Sequence, residues 1–284
     1  MSLSLKNIVD AELEGRCRNY FWRKVPSQVT QQGVWFDLSM SPGMPVPQYY
    51  IGGIGTATVL RQSTDGGLYH GANVSPQTKY LRTITVRSVS ATPLPMQMNL
   101  CDYLMFYSFN DEGTTDEQFM TNNVSLTRCI SGKGVQIMAV SVAGRTGGQQ
   151  FRVNYTNSDG VSGRISQPVT ENAFSANGTI VTSHTALAGT SGCFVPLQSG
   201  DSGVRSIQSV TMLGADVGLF ALVLVKPLAQ IQIKEITAPY EKDFLISDSI
   251  LPIIEDDAFL GFTCIPNGSL SGVVLMGDLK VIWN

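Results

Sequence analysis

The chain has 284 residues, 43% of them hydrophobic and only 14% charged, with a formal net charge of -3. Its 19 lysines and arginines are scattered singly, so the clustered cations that neutralise phosphates are missing and direct nucleic-acid binding is not expected. The longest apolar stretch, Val217 to Val225, is far shorter than the roughly 18 to 20 residues that span a bilayer, and no membrane association is expected.

The start, Met1-Ser-Leu-Ser-Leu-Lys-Asn7, lacks a basic region followed by a long apolar run. No secretory signal is expected, and synthesis in a cytosol is. The cysteines, Cys17, Cys101, Cys129, Cys193 and Cys264, are odd in number, widely spaced and never paired as C-x-x-C. They read as small buried hydrophobes in a reducing compartment, not as a disulfide framework or zinc site.

In chain order, the first predicted element is a helix over residues 3–14. Leu5, Ile8, Val9 and Leu13 recur at helical spacing, with Asp10, Glu12 and Glu14 elsewhere around the turn. Ser4 suits the N-cap and Gly15 the stop. So short a helix is marginal in water, and its apolar stripe needs a surface. Two surfaces are open to it, its own domain or a neighbouring subunit. Residues 1–30 read as an N-terminal arm carrying this helix, and Leu5, Ile8, Val9 and Leu13 as its partner-contact residues. Arg16 to Lys24 interleaves Arg16, Arg18, Arg23 and Lys24 with Tyr20, Phe21 and Trp22. That mixture can stack bases, but so small a cluster reads as a cation held over an aromatic face within the fold.

From Gln31 onward the text is strand-like. Val34 to Leu38 precedes a proline-rich loop, Ser41-Pro-Gly-Met-Pro-Val-Pro47, in which each proline fixes φ and removes a donor. Strands are expected at Tyr80 to Val89, Met96 to Phe109 and Val135 to Val142. A hairpin is expected from Phe151-Arg-Val-Asn-Tyr155 through Asn157-Ser-Asp-Gly160 to Gly163-Arg-Ile-Ser-Gln167, the glycine supplying positive φ at the turn. Further strands are expected at Thr179 to Thr182, Cys193 to Leu197, Val204 to Met212 and Leu219 to Val225. Ile231 to Ile236, Phe259 to Ile265 and Val273 to Trp283 complete the set.

Short strands between Gly, Pro, Asn and Ser clusters, with no βαβ alternation and no fixed-period repeat, predict an all-β fold. Residues 31–284 are expected to form one large β-sandwich, jelly-roll-like, behind the short N-terminal helical arm.

Little in the sequence points to catalysis. Gly200-Asp-Ser-Gly203 resembles the nucleophile segment of trypsin-like serine proteases, and a hydrolase using Ser202 is one alternative function. A triad needs a base beside the serine. His184 lies too close before Ser202 for that family's order, and His70 sits in Leu68-Tyr-His-Gly-Ala72 instead of the family's Ala-Ala-His-Cys. The tetrapeptide is therefore read as a β-turn. Acidic pairs occur at Asp111-Glu112, Asp116-Glu117 and Glu255-Asp256-Asp257. Asp111-Glu-Gly-Thr-Thr-Asp116 offers loop oxygens of the kind calcium uses, without the EF-hand pattern. Gly144-Arg-Thr-Gly-Gly148 lacks the lysine and following helix of a phosphate loop and reads as a turn. No catalytic residue, cofactor or metal is expected.

Several stretches resemble a family of virion structural proteins of tailed phages. They are Ser4-Leu-Lys-Asn-Ile-Val-Asp-Ala-Glu-Leu-Glu-Gly15, Trp35-Phe-Asp-Leu-Ser-Met-Ser-Pro42, His70-Gly-Ala-Asn-Val-Ser-Pro76 and Gly200-Asp-Ser-Gly-Val-Arg-Ser206. Gly214-Ala-Asp-Val-Gly-Leu-Phe220, Leu224-Val-Lys-Pro-Leu228, Ile236-Thr-Ala-Pro239 and Gly277-Asp-Leu-Lys-Val-Ile-Trp283 extend the resemblance over nearly the whole chain. It implies a component of a phage particle, made in the host cytoplasm and located in the virion. The first expectation is a capsid-decorating or cementing protein, a homo-oligomer bound to the major capsid protein or other virion proteins. The alternative is a tail or fibre protein binding host-surface glycans, for which Tyr49, Tyr50 and Tyr69 are candidate groove aromatics.

Overall fold

A computed structural model describes residues 4–184, 188–236, 238–248 and 250–284. The first element is α1 (Leu5–Leu13). Its start is fixed by a reciprocal cap. The Ser4 hydroxyl accepts from the Asn7 backbone N–H at 3.2 Å, and the Asn7 side chain accepts from the Ser4 N–H at 3.0 Å. Gly15 ends it with φ +73°, as a helix stop requires.

Strands then form three sheets, and every pairing between named strands is antiparallel among the described residues. The first sheet runs β14 (Tyr240–Asp243), β5 (Lys79–Ser88), β17 (Leu275–Trp283), β1 (Cys17–Lys24), β3 (Gly43–Met44), with β15 (Ile253–Ile254) also on β5. The central sheet runs β2 (Phe36–Asp37), β16 (Leu260–Ile265), β6 (Met96–Asp111), β13 (Leu219–Ile233), β8 (Gln136–Ser141), with β4 (Ala57–Val59) on β6. The third runs β10 (Arg164–Ile165), β9 (Gln150–Asn157), β12 (Val204–Met212), β7 (Gln118–Phe119), with β11 (Val169–Thr170) on β9. Two short helices, α2 (Gln62–Asp65) and α3 (Phe244–Ser247), lie between strands.

The all-β sandwich with a short N-terminal helix is present. It differs from a two-sheet jelly roll in having three sheets, and the reason is strand length. At about 3.3 Å per residue, the 16 residues of β6 reach roughly 50 Å, more than one covering sheet can bury. At one end of the central sheet, Met96, Met98, Leu100, Ile231 and Ile233 share a core with Trp22, Ile84 and Leu279 of the first sheet. At the other end, Leu104, Tyr107, Leu222 and Leu224 share a core with Phe151, Val153, Ile207 and Val210 of the third. A further core gathers Tyr103, Phe106, Val223 and Val225 with Tyr50, Met138 and Phe259.

The arm boundary at residue 30 is not a boundary in the sheets. β1 pairs with β17 along its whole length, from Cys17↔Ile282 to Lys24↔Leu275, and Trp22 is buried against Phe262 with ring centroids 4.7 Å apart. Residues 17–24 thus belong to the sandwich. Lys24 is not stacked on a ring. It is buried, and its Nζ donates to the carbonyl oxygens of Ser41 and Pro45, both at 2.9 Å. Burial holds its ammonium down at about 8, against the pull of Asp37.

β13 joins two strands that the sequence separates at Pro227. The ladder shifts register between Pro227 and Ala229, and that irregularity accommodates a residue with no N–H to give. Thr179 to Thr182 and Cys193 to Leu197 do not form ladder strands. Thr179 and Ile180 make only isolated bridges, to Phe36 and Val140. The predicted hairpin is present, β10 pairing with β9 through Arg164↔Tyr155.

Candidate functional site

The four apolar residues of α1 divide between two faces. Ile8, 5% exposed, joins the core of the first sheet, and the neighbouring Ala11 is also buried. Leu5, Val9 and Leu13 are 64%, 48% and 81% exposed. Their i, i+4, i+8 spacing places them in one row along the helix, turned away from Ile8 and Ala11. Glu12 ties the helix to β17 through Lys280 at 2.8 Å. The sequence stripe is therefore one anchoring residue, Ile8, and an outward row of three. Of the two surfaces open to the helix, its own domain takes Ile8, while Leu5, Val9 and Leu13 face outward.

The Gly200–Gly203 segment is a structural turn. The Asp201 carboxylate accepts from Tyr155 Oη at 2.6 Å, Asn157 Nδ2 at 2.7 Å and Arg164 Nε at 2.9 Å. Desolvation pushes this carboxyl up, but the three donors together outweigh it and hold it at about 2. The Ser202 hydroxyl pairs with the Ser158 hydroxyl at 2.9 Å. Gly203 is demanded by close packing, because a Cβ there would lie 2.0 Å from the Gly132 carbonyl oxygen. His70 does not serve Ser202. His70 is fully buried, with Nε2 2.9 Å from the Ala258 carbonyl oxygen and Nδ1 3.0 Å from Lys79 Nζ. His184 stacks on Phe174 with ring centroids 5.4 Å apart.

Nor do the three tyrosines form a groove. Tyr50 is fully buried, its hydroxyl donating to Asp37 and meeting Ser39 Oγ at 2.8 Å. Asp37 also accepts from the Ser39 hydroxyl at 2.7 Å and the Tyr103 hydroxyl at 2.8 Å. Tyr50 is thus a core residue, while Tyr49 and Tyr69 are exposed. Tyr69 stands edge-on to Tyr20 at 5.1 Å.

In the acidic loop after β6, Asp111 Oδ1 accepts from the Gly113 N–H at 2.7 Å, closing a local turn. The residue that turns inward is Glu112. With Glu171 and Asp216 it forms a group of carboxylates whose oxygens, one from each, lie within 4.8 Å of one another. Arg145 pairs with Glu112 through Nε and with Glu171 through Nη2, each at 2.9 Å. Burial pushes the Glu171 carboxyl up to about 8, with Arg145 opposing and Glu112 and Asp216 reinforcing. Sequence reasoning named Glu112 only within the Asp111–Asp116 acidic loop and missed Glu171 and Asp216, since the three members come from three separate connections and share no spacing signal.

Among the described residues, no helix is long and apolar enough to cross a membrane. No protein-family model matches the chain, and no curated protein does. A solved structure described as "Structure of infectious bursal disease virus Gx strain" aligns over 94% of this chain and 80% of that one, at 8% identity and a TM-score of 0.18. A likeness of that size carries no argument about fold or function.

Proposed function

We propose that this protein is a structural component of a phage particle, a capsid-decorating or cementing protein that binds the shell and copies of itself, with no enzymatic role. The observation that carries the reading is the outward row Leu5, Val9 and Leu13 on a helix clamped to the domain by Ile8 and Ala11. A rigidly mounted apolar row is suited to docking, because little conformational freedom is left to lose when a partner covers it. Burying each such side chain contributes about 1.5 to 3 kcal/mol, a contribution repeated at every copy on a lattice. The sequence resemblance to tailed-phage virion proteins supports the same reading, as do the low charge and the structural use of Asp201 and Ser202.

The test replaces Leu5, Val9 and Leu13 together by serine. The variant is expected to keep its circular dichroism spectrum and lose co-sedimentation with particles that lack the protein. Normal incorporation of the folded variant would remove the row from the account.

A further inference from the structure

The carboxylate group at the end of the third sheet has too few donors. Glu112 follows β6, Arg145 lies between β8 and β9, Glu171 follows β11, and Asp216 lies between β12 and β13. Glu112 and Glu171 have fully buried side chains, and Asp216 is half-buried. Three carboxylates face one guanidinium, so two negative charges are unbalanced if all are ionised. Buried charge of that kind is costly unless it is paired or bound to a metal.

Arg145 does not satisfy the group. Its Nε donates to Glu112 Oε1 at 2.9 Å, and its Nη1 donates to the Asn172 carbonyl oxygen at 2.7 Å and Asn172 Oδ1 at 3.2 Å. Its Nη2 lies 2.9 Å from Glu171 Oε2, but not in hydrogen-bonding geometry. Glu112 Oε2, both oxygens of Glu171 and Asp216 Oδ2 are buried without a hydrogen-bond partner. Asp216 Oδ1 is already used, accepting from the Thr146 hydroxyl and from the Val217 N–H at 2.8 Å. So each of the three acids keeps at least one free oxygen. The backbone makes room for this convergence. At Gly218, with φ +149°, a Cβ would lie 2.7 Å from Glu112 Oε2 and 2.5 Å from the Arg145 Cβ.

We propose that Glu112, Glu171 and Asp216 form a binding site for a hard divalent cation, calcium by the chemistry of its donors. The donors are all carboxylate oxygens, with no histidine or cysteine in the group, which disfavours zinc. Calcium accepts six to eight oxygens at about 2.3 to 2.6 Å in irregular geometry, and a half-buried aspartate leaves one side for water. Magnesium demands near-ideal octahedral geometry and gives up its water reluctantly. Arg145 then acts as the orienting partner of Glu112 and Glu171. The ion would tie three connections together at this end of the molecule, with a fourth joined through Arg145.

The test uses the full chain, stripped with a chelator and titrated with calcium chloride or magnesium chloride while thermal unfolding and binding heat are followed. The expected result is saturable calcium binding with a rise in Tm, and a much smaller response to magnesium. Glu171→Gln is expected to weaken calcium binding by about tenfold or more, on the scale known for disturbed metal sites. Asp216→Asn, at the more exposed ligand, is expected to do the same and supplies the readout if Glu171→Gln does not fold. Absence of binding heat and of any Tm shift in the wild-type chain would overturn the proposal. So would folded variants that respond to calcium as the wild type does.

Discussion

Acidification should weaken the fold through His70. This imidazole is fully buried, with Nε2 donating to the Ala258 carbonyl oxygen and Nδ1 accepting from Lys79 Nζ. Lys79 Nζ also donates to the Ala72 carbonyl oxygen at 2.9 Å. Both ring nitrogens are thereby committed to the neutral form, and a proton on Nδ1 would meet an ammonium. Desolvation first, and then the Lys79 charge, hold the imidazole down at about 4, against an ordinary value of 6.5. In the unfolded chain His70 takes up a proton below about 6.5, whereas in the fold it does so only below about 4. The unfolded state therefore binds more protons across that window, and stability falls as pH falls through it. A difference of about 2.5 pH units at 1.36 kcal/mol per unit is worth about 3 kcal/mol. Asp102, pushed up to about 6 by burial against the pull of Arg128, acts in the opposite sense over part of the window. The His70 share is therefore read as a difference between the wild type and His70→Gln, whose amide can keep a donor and an acceptor in place. The assay is urea unfolding of both proteins at pH 7 and pH 4. The wild type should lose about 3 kcal/mol more than the variant over this range. Equal losses in the two proteins would refute the buried, neutral imidazole.

Other consequences follow from the same contacts. Ile8→Ala should destabilise the chain by about 2 to 4 kcal/mol in urea unfolding, as for a buried aliphatic residue, whereas Leu5→Ser, Val9→Ser and Leu13→Ser should each stay within about 0.5 kcal/mol. The reverse ranking would mean that the helix docks by its other face. Asp37→Ala should cost about 4 kcal/mol or more, because the hydroxyls of Tyr50, Ser39 and Tyr103 lose a buried acceptor together; a shift in Tm of only a degree or two would contradict this. Gly203→Ala should lower Tm sharply, since its Cβ meets the Gly132 carbonyl oxygen, while Ser202→Ala should cost about 1 kcal/mol and leave no hydrolytic activity to lose. Turnover of ester or peptide substrates by the wild type that disappears in Ser202→Ala would reverse the reading of that turn.

Where local chemistry decides a structure, the sequence is legible. Val204 to Met212 is expected as a strand and forms β12 with the same ends, and Ser4 and Gly15 bound α1 as their side-chain and backbone chemistry require. Where pairing at a distance decides, it is not. Pro227 looks like a break between two strands, yet β6 stays paired with β13 on either side of it, from Lys226↔Asp102 to Ala229↔Leu100, and holds the chain extended through it. Thr179 to Thr182 has strand composition but finds only isolated bridges. Arg16 to Lys24 reads as charged and aromatic, and only the presence of β17 beside it explains why it is a strand. Helical spacing identified Leu5, Ile8, Val9 and Leu13 but could not say which of them the sheet would cover, because that depends on how the helix is rotated onto its support. The same limit hid the meeting of Glu112 with Glu171 and Asp216, whose proximity arises only from the convergence of three loops.

The proposed role as a capsid-decorating protein requires stoichiometric incorporation into the shell. The most direct measurement is its copy number in purified particles, by quantitative mass spectrometry against the major capsid protein of the same preparation. A copy number of the same order as the shell protein, falling away in particles assembled with the Leu5→Ser, Val9→Ser, Leu13→Ser variant, is the predicted result. A protein present in only a few copies, or absent from the particle, would contradict it.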